Sequence, residues 1–338
     1  MRVEVLVARQ PAAGPKRVLH VQSISGWAPS CIGPYAQSNA LAGRGLVFFS
    51  GQIPLDPATM TLVQEQSWPV EQPDGWWAPR AQLQRTLLSC QRVAVAMGTD
   101  LPSAAVSLTI FHTLPTADLA RLQGEGWVEA FLRGHVSFEK AAPEEAPQEA
   151  EPEEADFLGI GRRPFAQLAE RQPGWDREFL DPVTARAPAV SSWVPRAVWV
   201  AVPALPRGSL VEIQPLALAS GAGSTPELAA REAGSYRVLR ESYGGGQCTL
   251  LSISAPSGSA LVPVPALLEE LLPSRSLLST SRLFYDLASV AHQEAETLAV
   301  QMAEHGLAVS LVPASSVVET DPASGASGPR GWVLESVF

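Results

Sequence analysis

The pattern of apolar and polar positions becomes regular at residue 45 and predicts alternating strands and helices. Residues 46–50 form a short apolar segment that is typical of a buried strand, and a proline-rich turn follows it. Apolar residues then recur every three or four positions from Leu83 to Met97, which predicts an amphipathic helix that ends at Gly98. Side chains alternate at residues 106–111 with the period of a strand.

A second helix and two closing strands complete this first predicted unit. Thr116 or Asp118 is placed to cap the helix, which continues to residue 131. The closing strands, residues 196–202 and 209–214, are joined by a short turn that contains proline and glycine. This order of elements predicts an α+β unit in which helices cover one face of a sheet.

A similar order of elements returns in shorter form near the end of the chain. Residues 219–226 are small and predict a linker. Beyond it, the pattern predicts strands at residues 248–254, 281–285, 307–313 and 331–338, and helices at residues 264–272 and 291–305. We therefore predict a smaller, degenerate copy of the first unit at residues 227–338, while residues 1–21 are an N-terminal approach segment.

The acidic residues are concentrated in one segment. The chain has 34 acidic and 24 basic residues, a formal charge of −10, and seven of the acidic residues fall within residues 141–156 without a cation. Such a segment repels itself and has few apolar residues to bury, so it predicts a partly disordered acidic insertion at residues 134–190. Elsewhere the charges nearly balance without a basic stripe, which argues against nucleic-acid binding.

The composition indicates a globular, cytoplasmic protein. Apolar residues make up 46% of the chain and charged residues 17%. No apolar stretch approaches the roughly 20 residues of a membrane helix, and the beginning of the chain lacks the apolar core of a secretory signal. The cysteines and histidines are scattered without the spacing of metal ligands, so we expect no metal site.

Three short motifs occur in a fixed order and carry a family resemblance. They are IGPYAQ at residues 32–37, SGQIPLDP at residues 50–57 and LPRGSLVEI at residues 205–213. Together they resemble the RidA/YjgF family over residues 22–218 outside the acidic insertion. The resemblance implies a chorismate-mutase-like fold, in which two helices back a six-stranded sheet. It also implies assembly as a trimer or pseudo-trimer, with ligand pockets at subunit boundaries.

Two flanking segments narrow the resemblance. VQSISGWAPSC at residues 21–31 and PATMTL at residues 57–62 are similar to a RidA-like unit of eukaryotic diphthine–ammonia ligases. That likeness implies a C-terminal module that supports ATP-dependent amidation of diphthine to diphthamide on elongation factor 2. The SGGKDS-like nucleotide loop of such ligases does not occur in this sequence, so ATP is implied only for a separate ATP-pyrophosphatase domain. Elongation factor 2 and that domain are the implied partners, and no cofactor is expected in this chain.

The resemblance also suggests residues that bind a ligand. In active RidA proteins an arginine clamps the carboxylate of an imino acid, and a glutamate positions the water that hydrolyses it. Arg196 matches the arginine with one extra residue before LPRG, so it is either this clamp or a surface arginine at the start of a strand. Gln214 stands at the glutamate position, and an amide cannot act as a base. Glu212, on the same strand face, would need a shifted register to replace it.

The other positions matched to the family's pocket are Tyr35, Ser50 and Gly51.

These observations leave three functions open. The first is the ligase module described above. The second is a stand-alone deaminase of 2-iminobutanoate and 2-iminopropanoate that binds a small carboxylate ligand. The third is a non-catalytic oligomeric scaffold with a ligand pocket.

Overall fold

The computed structural model describes residues 16–41, 45–63, 76–134, 194–219, 226–243, 248–261, 280–305, 307–322 and 327–337. Most of the predicted approach segment, all but the first residue of the acidic insertion, most of the linker and the helix predicted at residues 264–272 lie outside these residues. No helix in the described part of the chain is both long and apolar enough to cross a membrane.

The described residues form a mixed α+β structure, as the sequence predicts. The strands are β1 Lys16–Leu19, β2 Ser38–Leu41, β3 Leu46–Phe49, β4 Ala105–His112, β5 Arg196–Ala201, β6 Val211–Leu218, β7 Glu227–Ala233, β8 Tyr236–Tyr243, β9 Cys248–Ala255, β10 Thr280–Asp286, β11 Val309–Ala314, β12 Ser316–Thr320, β13 Ser327–Arg330 and β14 Trp332–Val337. The helices are α1 Trp77–Ala96, α2 Leu101–Ala104, α3 Thr116–Gly124, α4 Trp127–Leu132 and α5 His292–Glu304.

The strands form two sheets with a repeated topology. The larger sheet has the order β1-β2-β3-β6-β4-β5-β12-β13, and the smaller sheet has the order β11-β10-β14-β9-β8-β7. Read from β5 to β1, the larger sheet repeats the order of the smaller one. The pairs β4–β5 and β10–β11 are parallel, and their antiparallel neighbours also correspond. The hairpin β12–β13 departs from this repeat, because it follows β11 in the chain but pairs with β5 of the larger sheet.

The two sheets pack face to face, and helices cover their outer faces. Leu87 and Cys90 of α1 share one core with Leu108 of β4, while Leu298 of α5 packs in a second core with Trp332 of β14. Two smaller clusters lie between the sheets and are built from Val198, Val200, Phe284, Val317 and Val333, and from Leu46, Val106, Leu216, Leu250 and Val337. This packing explains why β5 is buried along its whole length and on both faces.

Two details of the predicted second helix are wrong. Pro115 precedes the first turn of α3 and no side chain caps it, so neither Thr116 nor Asp118 is the cap. The predicted helix is also two helices, because Gly126 has a φ of +69° and interrupts the helical backbone between α3 and α4. A residue with a side chain would be strained in this left-handed conformation.

Candidate functional site

A cleft of about 220 Å³ opens where the three motifs meet beside the larger sheet. Tyr35, Ser50 and Gly51 line it together with Glu212 of β6. Its other described lining residues are Pro29, Ser30, Ile32, Gln37, Gln52, Ile53, Leu55 and Pro206. The fold therefore brings three of the five predicted ligand-binding residues to one concave site.

Gln37 holds the loop that carries Tyr35 against the sheet. This buried amide accepts a hydrogen bond from the Val21 N–H at 2.8 Å and donates one to the Pro29 carbonyl at 3.0 Å. The Gln37 carbonyl also accepts from the Ser50 N–H at 2.9 Å, which joins the IGPYAQ and SGQIPLDP motifs. These bonds pair polar groups of Gln37 and hold the loop beside the end of β3.

The Glu212 side chain approaches Gly51 closely. The backbones of Gln52 and Ile213 exchange two hydrogen bonds of 2.9 Å, so the segment after β3 continues alongside β6. A Cβ atom on Gly51 would lie 1.7 Å from Oε1 of Glu212, far inside van der Waals contact. The Glu212 carboxylate therefore lies over the backbone of Gly51, at the wall of the cleft.

Two residues with left-handed backbones lie beside the cleft. Met60 (φ 59°) and Arg207 (φ 57°) are the non-glycine residues with positive φ in the described part of the chain. Arg207 Nη1 donates to the Met60 carbonyl at 2.5 Å, and the Ser30 N–H donates to the Met60 sulfur at 3.3 Å. Non-glycine residues in this conformation are costly and cluster at functional sites, which supports the assignment of this cleft.

Burial perturbs two ionisable side chains of the cleft, Glu212 and Tyr35. Glu212 is the acidic one. Glu212 is half-buried and has no hydrogen-bond or ion-pair partner among the described residues, so desolvation raises the pKa of its carboxyl group. Burial also raises the pKa of the Tyr35 hydroxyl, against the opposing effect of the Ile32 N–H, which donates to it at 3.5 Å. The register of β6 against β4 is regular at Glu212, so this carboxylate lines the cleft without a strand slip.

Gln214 lies outside this cleft, in a cavity between the two sheets. Its Nε2 donates to the Phe49 carbonyl at 3.1 Å, and its Oε1 accepts from Nη1 of Arg282 at 2.9 Å. Ser107 and Glu335 also line this cavity of about 40 Å³, which has room for a few water molecules. Gln214 therefore bridges the larger sheet to β10 of the smaller one.

Arg196 is enclosed between the sheets and does not border the cleft. It is 0% exposed, and Nη1 lies 3.2 Å from Oε1 of Glu319 while Nη2 lies 3.1 Å from Oε2 of Glu335. Glu319 also pairs with Arg330 at 3.0 Å, and Glu335 accepts from the Ser107 hydroxyl at 2.8 Å. Any ligand contact by this guanidinium would require these buried ion pairs to open.

The arrangement suits binding of a small polar ligand, and Glu212 is the acidic side chain of the cleft. Sequence reasoning placed Gln214 at the functional position and treated Glu212 as a substitute. The structure places Glu212 in the cleft because the bridge between Gln52 and Ile213 sets its carboxylate over Gly51. No group of three histidine, cysteine or acidic residues in the described ranges is placed to hold a metal ion.

Gly51→Ala is expected to lower the pKa of Glu212 toward that of a solvated carboxyl group. The new methyl group would displace the carboxylate from the wall toward the open side of the cleft, where water stabilises its charge. NMR titration of the side-chain carboxyl carbon measures this pKa. Gly33→Ala is the matched control, because its methyl group would meet only the Tyr35 ring at 3.4 Å. An unchanged Glu212 pKa in Gly51→Ala would contradict the described position of the carboxylate.

Comparison with known proteins finds partial likenesses. No family model matches the chain. It is 57% identical to the diphthine–ammonia ligase of Schizosaccharomyces pombe over 47 residues, which are 14% of this chain and 7% of the ligase. It is 39% identical to Protein DfrA of Myxococcus xanthus over 95 residues, which are 28% of this chain and 62% of DfrA. The matches thus span less than two thirds of either relative.

Solved structures of Rid-type proteins are similar to part of the chain. The E. coli YjgF gene product is 18% identical with a TM-score of 0.34, over 60% of this chain and 98% of that protein. YyfA of the Rid protein family from Yersinia pestis is 22% identical with a TM-score of 0.33, over 60% of this chain and 99% of that protein. Likenesses at this level do not bear on ligand or activity.

Proposed function

We propose that this chain is a RidA-like module of a diphthine–ammonia ligase. It supports the ATP-dependent amidation of diphthine to diphthamide on elongation factor 2, and a separate ATP-pyrophosphatase domain supplies the nucleotide chemistry. The observation that carries this proposal is the 57% identity over 47 residues to the ligase of Schizosaccharomyces pombe. The three motifs around the cleft are consistent with it.

The repeated sheet topology supports two fused RidA-like units, the second of them degenerate. The corresponding strands of the two sheets share their order and their parallel or antiparallel sense. Two such units would supply two positions of a pseudo-trimer, and this arrangement gives the module a role in assembly. Light scattering of the purified chain measures whether it associates further.

In this proposal the cleft binds a ligand without hydrolysing an imino acid. A deaminase needs a guanidinium to hold the substrate carboxylate, and Arg196 is paired with Glu319 and Glu335 between the sheets. The described lining residues of the cleft include no arginine, lysine or histidine. The geometry therefore favours ligand binding over imine hydrolysis, because hydrolysis requires a guanidinium that clamps the substrate carboxylate.

A chimeric ligase tests the function. In a Schizosaccharomyces pombe strain without its own ligase, we expect diphthamide to form when the ligase carries residues 22–218 of this chain in place of its matching RidA-like unit. Mass spectrometry of the modified elongation factor 2 peptide distinguishes the carboxylate from the amide. A ligase with the E. coli YjgF protein in the same place is the control. Equal restoration by YjgF, or none by our chain, would contradict the assignment.

One observation favours the deaminase as a second candidate. Glu212 supplies at the cleft the carboxylate that Gln214 cannot, and its raised pKa suits a group that exchanges protons. The test is keto-acid release from 2-aminoacrylate. Release by the wild type that Glu212→Gln abolishes would support the deaminase. Keto-acid release by the wild type no faster than in buffer alone would rule out the deaminase.

A further inference from the structure

The polar side chains of the cleft present hydrogen-bond acceptors. Ser30 Oγ donates its proton to the Met60 sulfur at 3.5 Å, so its lone pairs remain for a ligand. Ser50 Oγ donates to the Gln37 carbonyl at 3.2 Å and is therefore also committed as a donor. Glu212 is an acceptor in its ionised form and has no partner among the described residues.

The amide groups of the cleft direct N–H donors to protein acceptors. Gln37 Nε2 donates to the Pro29 carbonyl, and Gln52 Nε2 donates to the Ser50 carbonyl and hydroxyl, each at 3.3 Å. Among the lining side chains that the structure describes, the Tyr35 hydroxyl and the second N–H of the buried Gln37 amide remain as donors. A ligand that brings acceptors would therefore find few donors here, whereas a ligand that brings several donors would find several acceptors.

Charge and apolar surface complete the specificity of the cleft. In its ionised form Glu212 is negative, and no lysine, arginine or histidine is among the described lining residues. Arg207, beside the cleft, donates to the Met60 carbonyl. Buried Ile53 and Leu55, with Pro29, form an apolar wall. The cleft thus combines a negative acceptor group with a surface that contacts a short hydrocarbon chain.

We propose that this cleft binds a protonated primary amine with a short alkyl group. The ammonium group donates to the Glu212 carboxylate and to the serine hydroxyls, and the alkyl group packs on Ile53 and Leu55. A primary ammonium fits because it offers three donors and a positive charge in a compact group. The inference rests on the proposed function only in taking this cleft as the ligand site.

Calorimetric titration of the full chain with n-propylammonium tests the ligand class. We expect saturable binding of roughly millimolar affinity, which a ligand of few atoms allows. Propionate and n-propanol should bind far more weakly, because one is repelled by Glu212 and the other lacks charge. Tetramethylammonium, which has the charge without N–H donors, should also bind more weakly. Tighter binding of propionate or of tetramethylammonium would overturn the proposal.

Glu212→Gln is expected to lower the affinity for n-propylammonium by roughly tenfold to a hundredfold, the usual contribution of a hydrogen bond to a charged group. This substitution preserves shape and removes a partly buried charge, so the variant should remain folded. Glu304→Gln, an exposed acidic residue on α5, is the matched control and should bind as the wild type does. Equal affinity in Glu212→Gln and the wild type would overturn the proposal.

The two proposals fail in different ways. A chimeric ligase that forms diphthamide, combined with no amine binding, would show that the ligand class is wrong and the function correct. Amine binding that depends on Glu212, combined with an inactive chimera, would show the reverse.

Discussion

Replacing Arg196 by methionine is expected to lower the free energy of unfolding by about 3–5 kcal/mol, the usual cost of removing one partner from a buried ion pair. The guanidinium is 0% exposed and lies between Glu319 and Glu335. Methionine fills much of the volume but leaves these carboxylates without their shared cation. Because the two acidic residues belong to β12 and β14, the loss should weaken the junction between the sheets. Urea unfolding followed by tryptophan fluorescence measures the change.

Two further variants separate this effect from a general loss of packing. Arg133→Met removes a cation that pairs with Glu129 on the surface of α4, and it should cost well under about 1 kcal/mol. Adding Glu335→Gln to Arg196→Met removes one of the stranded charges and should restore part of the stability. If Arg196→Met were as stable as Arg133→Met, the described role of the buried guanidinium would be wrong.

Glu241→Gln is expected to change the dependence of stability on pH. Burial raises the pKa of Glu241 to about 7, because attraction by Arg196 and the hydrogen bond from Tyr243 only partly offset desolvation, while Glu335 and Glu319 repel the charge. Oε2 accepts from the Tyr243 hydroxyl at 2.5 Å, and Oε1 has no hydrogen-bond partner among the described residues. The folded protein therefore retains the proton of Glu241 at a pH where the unfolded chain has released it.

The sign of this dependence follows from which state binds the proton. Between the ordinary carboxyl pKa of 4.5 and the folded value of about 7, the folded state holds more protons, so the stability contributed by protonated Glu241 is lost as the pH rises. At pH 8 the whole loss is present and amounts to at most about 3 kcal/mol at 1.36 kcal/mol per pKa unit. Glutamine carries no charge and does not suffer this loss. The free energy of unfolding of Glu241→Gln should therefore exceed that of the wild type most at pH 8.

Unfolding by urea at pH 5 and pH 8 measures the difference. The gain in stability from Glu241→Gln should be small at pH 5 and largest at pH 8. Glu227→Gln changes an exposed carboxylate on β7 and should leave the pH profile of the wild type unchanged. If the free energies of unfolding of Glu241→Gln and the wild type changed equally between pH 5 and pH 8, the raised pKa of Glu241 would be contradicted.

Local patterns in the sequence predicted most central elements of the fold. The helix predicted from Leu83 to Met97 is the C-terminal part of α1, and the strand predicted at residues 106–111 is β4. The order of elements after residue 248 also predicted β9, β10, α5, β11 and β14. These features are accessible because a helix or strand in a core repeats its apolar residues at its own period.

Elements at and near the edges of the sheets were missed. The strands β1, β2, β7 and β8 and the hairpin β12–β13 were not predicted. Six described side chains of β7 are exposed, so its sequence has no apolar alternation that would identify a strand. Its backbone is extended because its hydrogen bonds go to β8. Pairing of this kind depends on a neighbour and leaves little trace in the composition of the strand itself.

Some residues of the candidate site were indicated by the sequence, and others were located only by the structure. The sequence motifs alone brought attention to Tyr35, Ser50 and Gly51, which line one cleft. The sequence motifs assigned Gln214 to the ligand pocket, whereas the structure places Glu212 in the cleft. The positions of the two residues could not show this, since both point to the same face of β6. The backbone bridge from Gln52 places Glu212 over Gly51, and the approach of Arg282 from β10 places Gln214 between the sheets.

The sequence by itself determined the motifs of the cleft, the alternation of strands and helices, and the α+β class, because these depend on short-range spacing along the chain. Only the tertiary structure decided that the sheets pack face to face and that β12 joins the larger sheet. It also decided that Arg196 meets Glu319, a residue 123 positions away in the chain. Such contacts arise from long-range packing, in which a buried charge is stable only where distant segments supply its partners.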